Sequence, residues 1–455
     1  MDAWDFGGSA RFRGEIKEGF LIPGIPGSLD FRDHGADVNN EYLLGRIRLH
    51  AGYTNDWFGA FAEEQSSFAV NDERYAYANS PAVPGTARHQ GDGPESDTVD
   101  LHQGYFLLGN PAQFPLTAKI GRQELTYGEE RLIGAFGWNN IGRAFDAAKL
   151  RWQGDWGSAD IFGSWPVIPE DNRFDISNTH DLFSGLYATI TKLPKNVLDV
   201  YVLSRNSDTH AISVVPSPQF PQPSARDIYT VGGRLKSKPG EFGNWDYLLD
   251  GAYQFGDFRD LRLGANSPRL KQDAYMFVAE GGYTVQGTWG KPRFGLEYDF
   301  SSGDSNPKDG THGTFDNLFP TNHKFYGYMD FISLQNIHDV RATFQIQPHP
   351  RVNVSLEGHG FWLADTHDSF YTVAGAPRGG IGATPGTGYG INPTYSNFVG
   401  TELDLVARFT LANYANFETG YGHFFTGDYV RQSLSAPTFG SRDADYVYLQ
   451  LTFNF

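Results

Sequence analysis

The C-terminal stretch 445–455, DYVYLQLTFNF, decides how the chain is read. Val447, Leu449, Leu451, Phe453 and Phe455 share one face of an extended chain, because successive side chains of a strand point to opposite faces. The same period of two recurs from end to end. Near the start, Phe6, Gly8, Ala10, Phe12, Gly14 and Ile16 alternate with Ser9, Arg11, Arg13, Glu15 and Lys17. Trp245, Tyr247, Leu249, Gly251, Tyr253 and Phe255 alternate with Asp246, Asp250 and Gln254. Leu403, Leu405, Ala407, Phe409 and Leu411 alternate with Glu402, Asp404, Arg408 and Thr410.

Read this way, the chain predicts strands over 4–20, 41–54, 57–69, 98–108, 116–124, 143–153, 156–165, 181–192, 196–206, 227–237, 244–257, 272–287, 291–303, 337–347, 351–364, 398–411, 414–428 and 443–455. The alternation is weakest over 57–69, 98–108 and 116–124. FYGYMDFISLQ (325–335) also looks strand-like, but an even strand number assigns it to a long loop. Connections alternate between short (Asn55-Asp56, 109–115, Gly154-Asp155, 193–195, 238–243, 288–290, 348–350, Ala412-Asn413) and long (21–40, 70–97, 125–142, 166–180, 207–226, 258–271, 304–336, 365–397, 429–442). Tight turns at one end and long loops at the other are the pattern of a transmembrane barrel, with both termini on the periplasmic side. The expected fold is all-β: one antiparallel transmembrane barrel of about eighteen strands over 1–455, in a bacterial outer membrane. A chain that stops on an aromatic residue, here Phe455, presents the final strand that barrel-assembly machinery reads, so that machinery is an expected partner alongside membrane lipids.

Composition agrees. Of 455 residues, 54 are Gly, 24 Tyr and 36 Phe, which suits twisted strands, and there is no Cys to form disulfides or thiolate sites. A net charge of −17 and a pI near 5.1 argue against nucleic acid as a partner. Mean hydropathy is −0.43, and no apolar run approaches the roughly eighteen residues of a spanning helix. The chain opens MDAWDFGG without a basic-then-apolar leader, and is read as a mature form with an added Met1.

In a barrel that faces lipid, the apolar face points out and the charged face lines the lumen, because Arg or Lys at mid-membrane costs about 2–4 kcal/mol. The expected lumen carries Arg11, Arg13, Arg46, Arg48, Lys149, Arg151, Arg205, Arg234, Lys236, Arg293, Arg341 and Arg408, with Glu15, Asp199, Asp246, Asp250, Glu280, Glu297, Asp299, Glu357, Glu402, Asp404 and Glu418. Cations concentrate on the N-terminal strands and acids on the C-terminal ones, which predicts a transverse field across the pore. Arginine forks suit carboxylates, and many weak contacts suit a moving polyanion.

GRQELTYGEERLIG (121–134), WNNIGRAFDAAKLRW (138–152), GTELDLVARF (400–409) and GYGHFFTGDY (420–429) resemble the alginate-export family of outer-membrane barrels, over most of the chain at low identity. The resemblance implies an eighteen-stranded barrel with a positively charged constriction that passes polyuronate. By position it adds Arg122 and Arg143 to the basic lining, matches Arg11 to a lumenal lysine and places Arg48 on the second strand. Two departures point away from alginate itself. A family member with a long periplasmic connection can cover its pore, whereas here that connection is only Leu411 to Tyr414, so such a plug is expected to be missing. Asn416 and Glu418 stand where that member has an arginine. The expected function is therefore a monomeric channel for an anionic or polar saccharide, the alternative being a general or substrate-specific diffusion porin for small anionic solutes.

No enzyme, cofactor or metal is expected. There is no HExxH, paired-His spacing or Gly-x-Ser-x-Gly elbow, and Glu129-Glu130 read as solvated loop carboxylates rather than an acid–base pair. SGDSNPKDGTHG (302–313) is oxygen-rich enough for calcium but departs from an EF-hand, and reads as a loop. An outer-membrane hydrolase remains the enzyme alternative.

Overall fold

A computed structural model describes residues 3–19, 30–34, 38–72, 95–170, 173–211, 225–260, 267–378 and 384–455. Its strands are β1 (Ala3–Glu18), β2 (Asn40–Thr54), β3 (Phe58–Val70), β4 (Asp97–Leu108), β5 (Leu116–Gln123), β6 (Phe145–Gly154), β7 (Gly157–Ile168), β8 (Ile176–Ser177), β9 (Asp181–Ile190), β10 (Asn196–Ser207), β11 (Ala225–Ser237), β12 (Trp245–Arg259), β13 (Leu270–Thr284), β14 (Arg293–Ser301), β15 (Thr311–His312), β16 (Ile337–His349), β17 (Val352–Leu363), β18 (Phe398–Ala412), β19 (Ala415–Thr426) and β20 (Ala444–Asn454). The two-residue pieces β8 and β15 lie beside the wall. The other eighteen form it, each antiparallel to its chain neighbours, and β20 pairs with β1 to close the cylinder. Closure leaves no open edge, the condition for a sheet to cross lipid. Gly8 and Phe455 exchange backbone hydrogen bonds of 2.7 and 3.0 Å, so the last residue seals the seam.

Every predicted strand is present, and 325–335 lies outside the wall. Short connections (55–57, 109–115, 155–156, 191–195, 238–244, 285–292, 350–351, 413–414) gather at the end that holds both termini, and the long ones at the other. The turn after β2 shows how little sequence such a reversal needs: the Asn55 side-chain oxygen accepts the amides of Trp57 and Phe58 at 3.0 and 2.9 Å.

Burial runs opposite to that of a water-soluble protein. Along β1, Arg11, Arg13, Glu15 and Lys17 are buried while Phe12 and Ile16 are exposed. Leu403 and Leu405 are exposed, and Glu402 and Asp404, which alternate with them, are fully buried. The outer wall is thus an apolar band. At the short-turn end it is ringed by exposed Trp4, Phe6, Trp57, Phe114, Trp152, Trp156, Trp245, Trp289 and Tyr414, an aromatic girdle suited to the membrane–water interface. Burial of the polar face needs a second partner inside, and two long connections provide it.

Candidate functional site: the lumenal constriction

β5 and β14 have only eight and nine residues, so the wall is low where each ends and the chain turns inward early. The two connections that follow, 124–144 and 302–336, are too apolar for a solvated loop. Leu125, Leu132, Ile133, Phe315, Phe319, Phe325, Tyr326, Met329, Phe331, Ile332 and Leu334 are all buried and form one core with wall residues Phe145, Phe183, Tyr187, Met276 and Val278. The segments are joined by backbone: Gly134 N–H donates to Phe319 O (2.8 Å), Phe319 N–H to Leu132 O (3.0 Å) and Thr321 N–H to Glu130 O (2.9 Å). Trp138 stacks on His323 with ring centres 3.8 Å apart.

Polar ties fix this assembly to opposite walls. Residues 128–130 all have positive φ (56°, 60° and 74°), a tight reversal that sends neighbouring side chains in different directions. Tyr127 donates to Asp160 of β7 (2.7 Å), and Glu129 accepts from Arg234 (2.7 Å) and Lys236 of β11. Arg131 reaches Asp299 (3.1 Å) and Glu297 of β14 and lies over the Phe325 ring at 4.0 Å. Glu130 accepts from Thr321 at 2.6 Å. Glu129 and Glu130, solvated carboxylates by the sequence reading, are structural ties. Residues 137–140 reach the other wall: the carbonyls of Gly137, Trp138 and Asn139 accept from Arg11 and Arg13 of β1 and Arg46 of β2, and Asn140 donates to Gly45 O at 2.9 Å.

The connection between β18 and β19 is only 413–414, so a periplasmic cover of the kind considered above is not formed there. The lumen is instead narrowed by segments entering from the long-loop end, which the sequence reading did not foresee.

The predicted basic lining divides by partner. Arg13 pairs with Glu15 (2.6 Å), Arg48 with Glu124 (3.4 Å), Lys149 with Asp160 (3.8 Å) and Arg151 with Asp160 (2.6 Å). Arg234 pairs with Asp199 (2.9 Å), Arg293 with Asp246 (2.6 Å) and Glu280 (2.9 Å), Arg341 with Glu297 (3.1 Å) and Glu357, and Arg408 with Glu418 (2.8 Å). These arginines and the lysine face inward as carboxylate-braced groups.

Arg11, Arg46 and Arg143 differ. Among the described residues none of the three meets a carboxylate. Arg11 and Arg46 lie directly opposite each other on β1 and β2, with Arg48 one step along the same face, although like charges so placed repel. The carbonyls of Gly137 and Asn139 hold Arg11 and Arg46 in place without neutralising them, whereas Arg48 is braced by Gln65 and Glu124. Nε of Arg11, Nε of Arg46 and Nη2 of Arg48 are buried donors with no acceptor among the described residues. Arg143 donates to Gly134 O (3.1 Å) and Pro320 O (2.9 Å), where the two inward segments meet, and burial together with Arg205 lowers its pKa to about 10.

Arg122 is placed otherwise than expected. Its position came from the family pattern, but it shares a strand face with Leu116 and Ile120, both exposed on the outer wall, while Lys119 and Gln123 face in. It pairs with Asp146 (2.9 Å) and Asp100 (3.4 Å) and donates to Asp175 O (3.0 Å), fastening connection 169–180 over the low wall at β5–β6. Burial, with Asp97 and Asp100 alongside, pushes the Asp175 carboxyl up to about 8.

On the C-terminal strands, Glu297, Asp299, Asp339, Glu357, Glu402 and Asp404 are buried on β14 and β16–β18, beside the inward arginines Arg293, Arg341 and Arg408. Among the described residues, two groups have ligand atoms close enough together to hold a metal ion: Asp97, Asp100 and Asp175, and His180, Asp208 and His210. In 302–313, Asp304 and Asp309 accept the amides of Asn306 (3.0 Å) and Thr311 (2.8 Å), the bonds of ordinary turns. Residues 73–94, within the predicted long connection 70–97, lie outside the described residues.

Solved outer-membrane structures share the fold. OccAB2 of Acinetobacter baumannii aligns with a TM-score of 0.58 at 9% identity over 99% of this chain and 98% of its own. The outer membrane protein OpdK of Pseudomonas aeruginosa, solved with vanillate, gives 0.56 at 9% over 99% and 98%. OpdO of the same organism gives 0.53 at 12% over 99% and 97%. No curated protein sequence matches the chain. The family model described as alginate export matches residues 5–438, nearly the whole chain. An inside-out barrel with an aromatic girdle, a basic ladder in a narrowed lumen and this match together place the protein in the bacterial outer membrane as a channel-forming barrel that belongs to the alginate export family.

Proposed function

We propose that this barrel works as a monomeric channel for an anionic saccharide, a polyuronate or a related acidic or polar chain, and that its role is passage rather than catalysis. One observation carries the reading: Arg11, Arg46 and Arg48 stand side by side on the lumenal face with donors that no protein atom fills. The guanidinium charges of Arg11 and Arg46, which no carboxylate among the described residues neutralises, keep this side of the lumen positive, which favours a passing carboxylate. The carboxylate-braced arginines on the rest of the wall offer weaker, shared contacts, as transit requires. Lys119 and Lys149, opposite each other on β5 and β6, extend the basic side toward the periplasmic turns.

A second reading is a porin for small anionic solutes. It is favoured by the inward segments, which leave less room for a chain, and by the likeness to OpdK, whose structure holds the small carboxylate vanillate. Both readings require anion preference. The test is the reversal potential of single pores under a KCl gradient, for the native barrel and for Arg11→Ala/Arg46→Ala. Native anion selectivity that collapses in the variant supports the basic ladder as the filter. A cation-selective native pore would overturn both readings.

A further inference from the structure

At the long-loop end, connection 169–180 and the chain leaving β10 meet around three side chains. His180 Nδ1 lies 2.9 Å from Oδ2 of Asp208, and His210 Nδ1 lies 3.4 Å from Oδ1 of the same carboxylate. The imidazole ring centres are 5.3 Å apart. We propose that His180, Asp208 and His210 form a binding site for a borderline divalent transition-metal ion of the zinc class, which pins two external loops together at the pore mouth.

The donor set is two imidazole nitrogens and one carboxylate oxygen, a combination such ions prefer over the all-oxygen sets of calcium and magnesium. The spacing suits it. Nitrogen and oxygen ligands sit about 2.0–2.2 Å from zinc, which places them roughly 3–3.5 Å from one another around a tetrahedral ion. The three ligand atoms here already lie within 4.8 Å of one another, so small side-chain rotations bring them to an ion. The backbone pre-arranges the site. Asp208 N–H donates to His180 O at 3.1 Å, joining the loops, and His210 N–H donates to Asp208 Oδ1 at 2.7 Å, fixing the Asp-x-His turn. All three side chains are at least half exposed, so an ion can reach them and water can complete the coordination.

The site is independent of the basic ladder, and its test does not depend on what crosses the pore. The purified barrel in detergent, stripped with chelator and dialysed, is titrated calorimetrically with ZnCl2 and separately with CaCl2. The expected result is one equivalent of Zn2+ bound by the native barrel, binding weakened at least about tenfold in His180→Ala/His210→Ala, and no comparable Ca2+ binding. Heat-modifiable gel mobility confirms that the variant barrel is folded. A native barrel that ignores Zn2+, a double variant that binds it equally through other histidines, or Ca2+ bound as tightly as Zn2+ would each overturn the assignment.

Discussion

Replacing Arg131 by Ala should loosen the inward segment 124–144 and enlarge the pore. The Arg131 side chain is 4% exposed and bonds Asp299 at 3.1 Å, the Tyr326 hydroxyl at 2.9 Å and Glu297. Glu297 keeps Arg341 at 3.1 Å after the change, but Asp299 has no second cation partner among the described residues. Breaking a buried ion pair by removing one partner costs about 3–5 kcal/mol, since a buried charge is left uncompensated. At about 1.4 kcal/mol per decade, that shifts the docked-to-displaced ratio of the segment by roughly two to three and a half powers of ten. The segment keeps its ties to Asp160, Arg234 and the β1–β2 arginines, so the expected outcome is flicker to larger conductance levels rather than a permanently wide pore. Single-channel recording reads this directly. Arg131→Met combined with Glu297→Gln and Asp299→Asn removes all three charges and should return the native conductance, because a neutral buried cluster leaves no charge unpaired. Unchanged conductance in Arg131→Ala, with a lowered melting temperature, would show that the tie braces the wall and does not hold the constriction.

Other predictions follow from the same contacts. Arg122→Ala should leave ion selectivity unchanged but cost about 1.5–3 kcal/mol through its charged hydrogen bonds, read as a lower thermal midpoint; a change in reversal potential would put Arg122 in the conduction path after all. Asp175 has its folded pKa raised to about 8, so its contribution to docking connection 169–180 is full below the unfolded carboxyl range and is lost as pH rises through 8. Hydrogen exchange corrected for its intrinsic pH dependence should show the amide at Asp175 losing protection over that interval, and Asp175→Asn should abolish the effect. Phe455→Ala should lower barrel yield in cells while sparing refolding in detergent, if the final strand is what assembly machinery reads; equal yields would remove that role.

The wall was legible in the sequence because lipid outside and charge inside impose period two on every strand. Where the signal weakened, the structure shows why. In β4 the register against β3 shifts between Glu63 and Glu64 and again between Gln65 and Ser67, which moves inward and outward positions out of step. In β3 and β4 the rings of Phe61 and Tyr105 stack at 5.1 Å on the charged face, so the pattern carries aromatics on both sides. The constriction was harder to read, because an irregular segment has no period to betray its direction. Its signal lies in composition: LIGAFGW (132–138) and FYGYMDFISL (325–334) are too apolar for loops in water, although the second also carries a strand-like pattern. For Arg122 the family position and strand parity disagree, and parity with the exposed Leu116 and Ile120 matches the structure. Arg234 and Arg341 meet Asp199, Glu297 and Glu357 across neighbouring strands, pairings set by strand register that alternation alone does not reveal.

The most direct test of the account is block of single-pore current by a short oligouronate, with a neutral oligosaccharide of equal length as control. A basic lumen with unfilled guanidinium donors predicts voltage-dependent block by the uronate at concentrations where the neutral sugar has little effect, relieved in Arg11→Ala/Arg46→Ala. Equal effects of the two sugars, or uronate block that persists unchanged in the double variant, would contradict it.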